Sequence, residues 1–100
     1  MIQLTTEELK QKINEGENFV LDLYATWCGP CKALIPRLEA LSSEYPDVTF
    51  VKVNVDENTD SALELGIRSV PTLVMLDENI EVKRMTGVKT TKELEAWAND

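Results

Sequence analysis

Histidine is absent from this 100-residue chain, and cysteine occurs only twice. A structural zinc site takes four ligands. With these counts it would have to recruit carboxylates or a second chain, so no metal is expected. Cationic side chains are also scarce: ten Lys and Arg face eighteen Asp and Glu, for a net charge of −8. Nucleic acid and anionic membrane surfaces both demand cationic contacts, so neither is expected as a partner, and solubility is the plainer use of the charge. No apolar run approaches the ~20 residues that span a bilayer. The opening stretch Met1-Ile2-Gln3-Leu4-Thr5-Thr6-Glu7-Glu8 has neither the basic head nor the apolar core of a secretory leader. With two closely spaced cysteines, that reading makes a cytoplasmic location the expectation. Repeats, low-complexity stretches and linkers are missing as well. What remains is 43% apolar residues, enough for one domain with one core over residues 1–100.

Local signals divide the chain into alternating elements. Thr5 and Glu8 form a capping box ahead of a helix that carries Leu9 and Ile13 on one face and closes at Gly16. Phe19 to Ala25 is almost wholly apolar, as a strand buried on both faces must be. A helix is predicted from about Cys28 to Glu44, with Leu34, Leu38 and Leu41 at helical spacing and Pro36 expected to kink it. Val48 to Val55 reads as a second buried strand, and Thr59 to Leu65 as a short helix ended by Gly66. Thr72 to Leu76 and Ile80 to Met85 form a predicted hairpin turning through Asp77-Glu78-Asn79, where Asn79 tolerates positive φ. Thr90 or Thr91 caps a last helix bearing Leu94 and Trp97, and Met1 to Leu4 is a candidate edge strand. Strands alternating with helices, followed by a hairpin and a helix, imply an α/β fold with a mixed sheet covered on both faces.

Both cysteines lie in Trp27-Cys28-Gly29-Pro30-Cys31, where the first apolar strand gives way to a helix. A thiolate, not a thiol, attacks a disulfide, and a helix amino terminus stabilises that anion with free N–H groups and the positive end of its dipole. With Cys28 as the cap, its sulfur faces the amide of Cys31, as a capping serine oxygen does. Pro30 is tolerated in a first turn, and Gly29 leaves room for a substrate backbone. Exposed Cys28 is then the nucleophile and shielded Cys31, one turn on, the resolving thiol, while the flat face of Trp27 covers one side. A purely structural disulfide closing so short a loop contributes only about 2 kcal/mol, a weak reason to put it at a helix start.

The chain also resembles the thioredoxin family over nearly its whole length. The likeness is carried by Asp22-Leu23-Tyr24-Ala25-Thr26-Trp27-Cys28-Gly29-Pro30-Cys31-Lys32, Pro36, Lys52-Val53-Asn54-Val55-Asp56, Gly66-Ile67-Arg68-Ser69-Val70-Pro71-Thr72 and Gly87. The resemblance implies a thioredoxin fold, with a central mixed sheet of five strands flanked by four helices. It implies protein-disulfide reductase activity in a monomer, with no bound cofactor. Electrons would come from NADPH only indirectly, through a thioredoxin reductase, and disulfide-containing proteins would be the substrates. The Gly29-Pro30 pair is similar to that of reducing members. Leu23 and Tyr24 stand where phenylalanine and tryptophan are usual, and Ser69 and Asn79 replace frequent glycines.

Several further residues are candidates for the site. Asp22 is a carboxylate inside a buried strand, so its pKa is expected to rise and make it a proton acceptor for Cys31, the work that the family assigns to an aspartate in this place. Lys52, in the neighbouring strand, is expected to oppose Asp22 and tune its charge. The resemblance implies a cis Val70–Pro71 bond packed against the cysteines, although X–Pro bonds are trans by default. Such a bend exposes the Val70 backbone to an extended substrate. Trp27, Gly29, Pro30, Val55, Ser69, Val70, Gly87 and Val88 are the expected substrate-binding surface. Met75, Met85 and Trp97 are assigned to packing. An oxidase or isomerase working through the same dithiol, and a non-catalytic module that only binds partners in the groove, are the competing readings.

Overall fold

The computed structural model describes residues 1–99. Its elements are β1 (Ile2–Gln3), α1 (Thr6–Asn14), β2 (Phe19–Tyr24), α2 (Gly29–Glu44), β3 (Thr49–Asn54), α3 (Thr59–Leu65), β4 (Thr72–Asp77), β5 (Ile80–Thr86) and α4 (Thr91–Asn99). The strands form one sheet in the order β1-β3-β2-β4-β5. β1, β3 and β2 run parallel, while β4 is antiparallel to β2 and β5 antiparallel to β4. This is the mixed five-stranded sheet with four helices that the resemblance implied, and the two-residue β1 extends it at the edge.

Alternation along β2 sets the layers. Phe19, Leu21 and Leu23 point into a core with Leu9, Val51, Val53 and Val74, against which Ile13, Leu65 and Ile67 pack from the side of α1 and α3. Val20 points the other way, into Leu34, Leu38, Leu41 and Leu94 of α2 and α4 together with Phe50 and Leu73. All six residues of β2 are buried, so the central strand is covered on both faces. Met75, Met85 and Trp97 pack partly buried on the α2–α4 side.

The helix boundaries follow their caps. Thr5 and Glu8 make the reciprocal capping box of α1, with Glu8 N donating to Thr5 Oγ1 at 3.2 Å and Thr5 N to Glu8 Oε1 at 3.0 Å. At α4 the choice falls on Thr90, whose Oγ1 accepts from Glu93 N at 3.1 Å while Glu93 returns the bond at 3.2 Å. Helix α2 runs from Gly29 to Glu44 with Pro36 inside it.

The hairpin is tighter than its sequence indicates. Asp77 pairs with Ile80, leaving a two-residue loop in which both Glu78 (φ +49°) and Asn79 (φ +74°) are left-handed. Two positive φ values are what a type I′ turn requires, because only the mirror-image turns match the right-handed twist of the strands. Asn79 accommodates this and glutamate does not, so the strain at Glu78 is imposed by the hairpin. The double substitution Glu78→Asn with Asn79→Gly is expected to raise stability by about 0.5–1 kcal/mol. Thermal unfolding checks it; an unchanged or lower Tm contradicts the strain.

Candidate active site

Strand β2 ends at Tyr24, and four residues later the chain enters α2 with Cys28 as its N-cap (φ −87°, ψ 110°). The amide of Cys31 donates to Cys28 Sγ at 3.2 Å, so sulfur occupies the place of a capping oxygen. Pro30 sits in the first turn, where no intrahelical donor is lost. The two sulfurs are joined as a disulfide with the Cα atoms 5.3 Å apart, and the structure thus holds the oxidised form of the pair. Tyr24, Ala25, Cys28 and Cys31 pack together, with Ile35, Val55 and Val70 against them.

Exposure of Cys28 differs from expectation. Cys31 is fully covered, but Cys28 too is only 4% exposed. Its sulfur is bonded to Cys31 beneath it, and the Val70 carbonyl lies 3.7 Å away, covering another side. In the dithiol state that carbonyl is placed to accept a hydrogen bond from the Cys28 thiol. A Cβ built at Gly29 meets nothing within 4 Å, and Pro30 is exposed, so the approach to the pair is open on the helix side.

The Val70–Pro71 bond is cis, the isomer that the resemblance implied. Pro71 is held from both directions: its carbonyl accepts from Gly87 N at 2.9 Å, and Thr72 Oγ1 donates to Ser69 O at 2.8 Å. Gly87 reaches that bond with φ +83°. A shallow groove of about 200 Å³ beside the disulfide is lined by Trp27, Val55, Ala62, Ile67, Arg68, Ser69 and Val70. Trp27 is 70% exposed, so its ring forms a wall rather than a lid. Gly87 and Val88 do not line this hollow; Gly87 adjoins the cis-proline, with its amide bonded to the Pro71 carbonyl. Ala62, Ile67 and Arg68 were missed as walls. The Gly66-Ile67-Arg68-Ser69 run offered a signal for two of them, whereas Ala62 joins only through the docking of α3. A larger hollow of about 280 Å³, between Phe19, Val48, Met75 and Ala98, lies at the opposite end of the sheet and contains no thiol.

Asp22 lies on the same face of β2 as Val20 and Tyr24, between the Leu34–Leu38 layer and the cysteine cluster beneath α2. It is 1% exposed, and neither carboxylate oxygen has a hydrogen-bond partner. Burial pushes its pKa up to about 7, against the smaller opposing attraction of Lys52. Lys52 is its register partner on β3 and holds its ammonium 5.6 Å over the Tyr24 ring. Burial, with Glu57 and Asp22 adding to it, also raises the pKa of Tyr24, whose hydroxyl donates to Gln3 Oε1 at 2.8 Å. Among the described residues no group of three or more Cys, Asp or Glu is arranged to hold a metal ion.

A sequence model of thioredoxin matches residues 1–100. The chain belongs to the thioredoxin family. It is 37% identical over 94 residues to a thioredoxin of Mycoplasma genitalium, covering 93% of this chain and 92% of that one. It is 53% identical over 78 residues to the chloroplastic F-type thioredoxin of Spinacia oleracea, which covers 77% of this chain but only 41% of the spinach protein. The chain thus spans about two fifths of that chloroplast relative's length. Among solved structures, the Fasciola hepatica thioredoxin superposes with a TM-score of 0.88 at 39% identity, covering 99% of this chain and 98% of that one. In this thioredoxin-family chain the paired cysteines and the cis-proline meet beyond the carboxyl end of β2.

The buried acid makes stability depend on pH. Below about pH 4 Asp22 is protonated in both folded and unfolded chains and carries no penalty. Between about pH 4 and 7 the unfolded chain releases this proton and the folded one keeps it, so stability falls as pH rises. Above pH 7 the full penalty persists. Asp22→Asn is therefore expected to stabilise the fold by up to about 4 kcal/mol at pH 8 and by little at pH 4. Denaturant titrations at the two pH values check this; a gain that does not grow with pH contradicts the assignment.

Proposed function

We propose that this protein is a protein-disulfide reductase working through the Cys28/Cys31 pair. Its broad class, thiol–disulfide oxidoreductase, follows from its family together with that intact pair. The observation that carries the roles within the pair is the Cys31 amide directed at Cys28 Sγ at 3.2 Å, with Cys31 itself wholly covered, and the Gly29-Pro30 pair, similar to that of reducing members, favours the reductase direction. A helix start with a sulfur at its cap favours the anion there, and the thiolate is the attacking form.

The reaction balances without a bound cofactor. The Cys28 thiolate attacks one sulfur of a substrate disulfide, forming a mixed disulfide and expelling the other substrate sulfur as a thiolate. Cys31, deprotonated, then attacks Cys28 Sγ. The Cys28–Cys31 bond forms, the second substrate sulfur leaves, and two electrons have passed to the substrate. Asp22, with a pKa near neutrality and a place beneath the cysteine cluster, takes the Cys31 proton, directly or through a water. Lys52 restrains how far burial raises that pKa. Trp27, Val55, Ser69 and Val70 supply an apolar wall, and the Val70 backbone offers pairing that is indifferent to substrate sequence. An NADPH-dependent thioredoxin reductase returns the oxidised pair to the dithiol, which fits a cytoplasmic, reducing setting.

Insulin reduction tests this reading. The unaltered chain is expected to precipitate insulin chains in the presence of a reductant, and Cys28→Ser to show no turnover above background. Cys31→Ser is expected to attack once and stall as a mixed disulfide that can be trapped. Asp22→Asn is expected to slow the resolving step, approaching the ~100-fold typical of a lost general base, with the first attack less affected. Equal activity of Cys28→Ser and the unaltered chain overturns the assignment.

A further inference from the structure

Five of the seven groove-lining residues, Ala62, Ile67, Arg68, Ser69 and Val70, belong to α3 or to the segment that follows it. This wall meets the core only through half-buried side chains, Leu65 and Ile67 among them. Helix α3 has seven residues, Ser61 is its only buried one, and Leu63 is 79% exposed. Its N-cap, Asn58, makes no side-chain capping bond, and its last turn contains no basic residue. The amino half is tied to α1, where Ser61 Oγ lies 2.9 Å from Thr6 Oγ1. The carboxyl half is tied to a different element. From β5, Arg84 Nη2 donates to Leu65 O at 2.6 Å, and Nη1 reaches Gly66 O at 3.4 Å. These are carbonyls that a helix end leaves without intrahelical donors.

The guanidinium does not reach them as a free side chain. Glu81, three residues earlier on β5, holds it in a bidentate pair, with Nε to Oε2 at 2.9 Å and Nη2 to Oε1 at 2.6 Å. A planar fork fixed by a carboxylate presents its remaining N–H groups in one direction, which a lysine ammonium does not. Gly66 then turns the chain with φ +66° into Ile67 and the proline loop.

We propose that Arg84 is a positioning residue for the substrate groove: oriented by Glu81, it clamps the end of α3 to β5 and so sets where the Ile67–Val70 wall stands relative to the disulfide. The inference rests on the reductase reading for its kinetic consequence, but not for the clamp itself. Arg84 touches neither cysteine, so its removal leaves the dithiol chemistry in place and loosens the surface on which a protein substrate lies.

The experiment compares the unaltered chain with Arg84→Ala, Arg84→Lys and Glu81→Gln. Arg84→Ala is expected to raise KM for insulin about three- to tenfold, the factor for one or two lost hydrogen bonds, at unchanged kcat. Its rate with a small aromatic disulfide such as dithiobis(nitrobenzoate), which needs no extended groove, stays the same. Arg84→Lys and Glu81→Gln fall between. In parallel, the Gly66 and Ile67 amides, bonded to Leu63 O at 3.2 Å and Ala62 O at 2.9 Å, are expected to exchange hydrogen several-fold faster in Arg84→Ala. Amides of β2 remain unaffected. Unchanged exchange overturns the clamp, and faster exchange at unchanged KM overturns its part in substrate binding. A parallel fall in the small-disulfide rate overturns the positioning role by showing damage to the dithiol. If the unaltered chain fails to reduce insulin, the reductase reading falls, and the exchange comparison still decides whether Arg84 holds the wall.

Discussion

A sulfur at the cap of α2 is what the rest of the structure is arranged around. The bond from the Cys31 amide to Cys28 Sγ requires the chain to leave β2 and start a helix within four residues. The helix is held against the sheet by Leu34, Leu38 and Leu41, which seat α2 on Val20, Phe50 and Leu73. Each of these leucines is nearly or fully covered, so rotating the helix to move the sulfur would expose apolar surface at about 25 cal/mol per Å². Packing at one end of the helix therefore fixes chemistry at the other.

The buried carboxylate works in the opposite sense. Asp22 occupies a position that any aliphatic residue would fill with less cost, and both of its oxygens lack partners. With its pKa raised to about 7 the acid is half protonated near neutrality, and Lys52 limits the rise without forming a direct bond. A group stable in either protonation state near neutrality suits proton exchange with a thiol, whereas a fully paired carboxylate would be locked in its charged form. On the proposed mechanism, stability is thus given up at the place where a mobile proton is used.

Much of this was legible because the signals were local. Capping at Thr5, the leucine spacing of α2, the apolar run of β2 and the junction placing Cys28 at a helix start depend on neighbours a few residues away. The lone acid among apolar neighbours also marks Asp22 in the sequence itself. Other features depend on residues far apart in the chain. The covering of Cys28 comes from Val70, forty-two positions on, and Arg84 meets Leu65 only once β5 is laid beside β4. The cis isomer at Pro71 came from family resemblance; nothing in the dipeptide itself indicates it. Ala62 joins the groove only through the docking of α3, which none of its sequence neighbours announces. Glu78 shows the same limit locally, since hairpin closure overrides what glutamate prefers.

The reversal between β4 and β5 has a use of its own. Phe19 pairs with Leu76 and Leu23 with Thr72, so the Glu78–Asn79 loop lies at the foot of the sheet, while the reacting sulfurs lie at its head. Six residues of extended chain separate the two poles by roughly 20 Å. A fluorophore, a surface tether or a grafted peptide fixed at that loop would leave the docking face clear, giving the molecule a built-in handle for immobilised or single-molecule work.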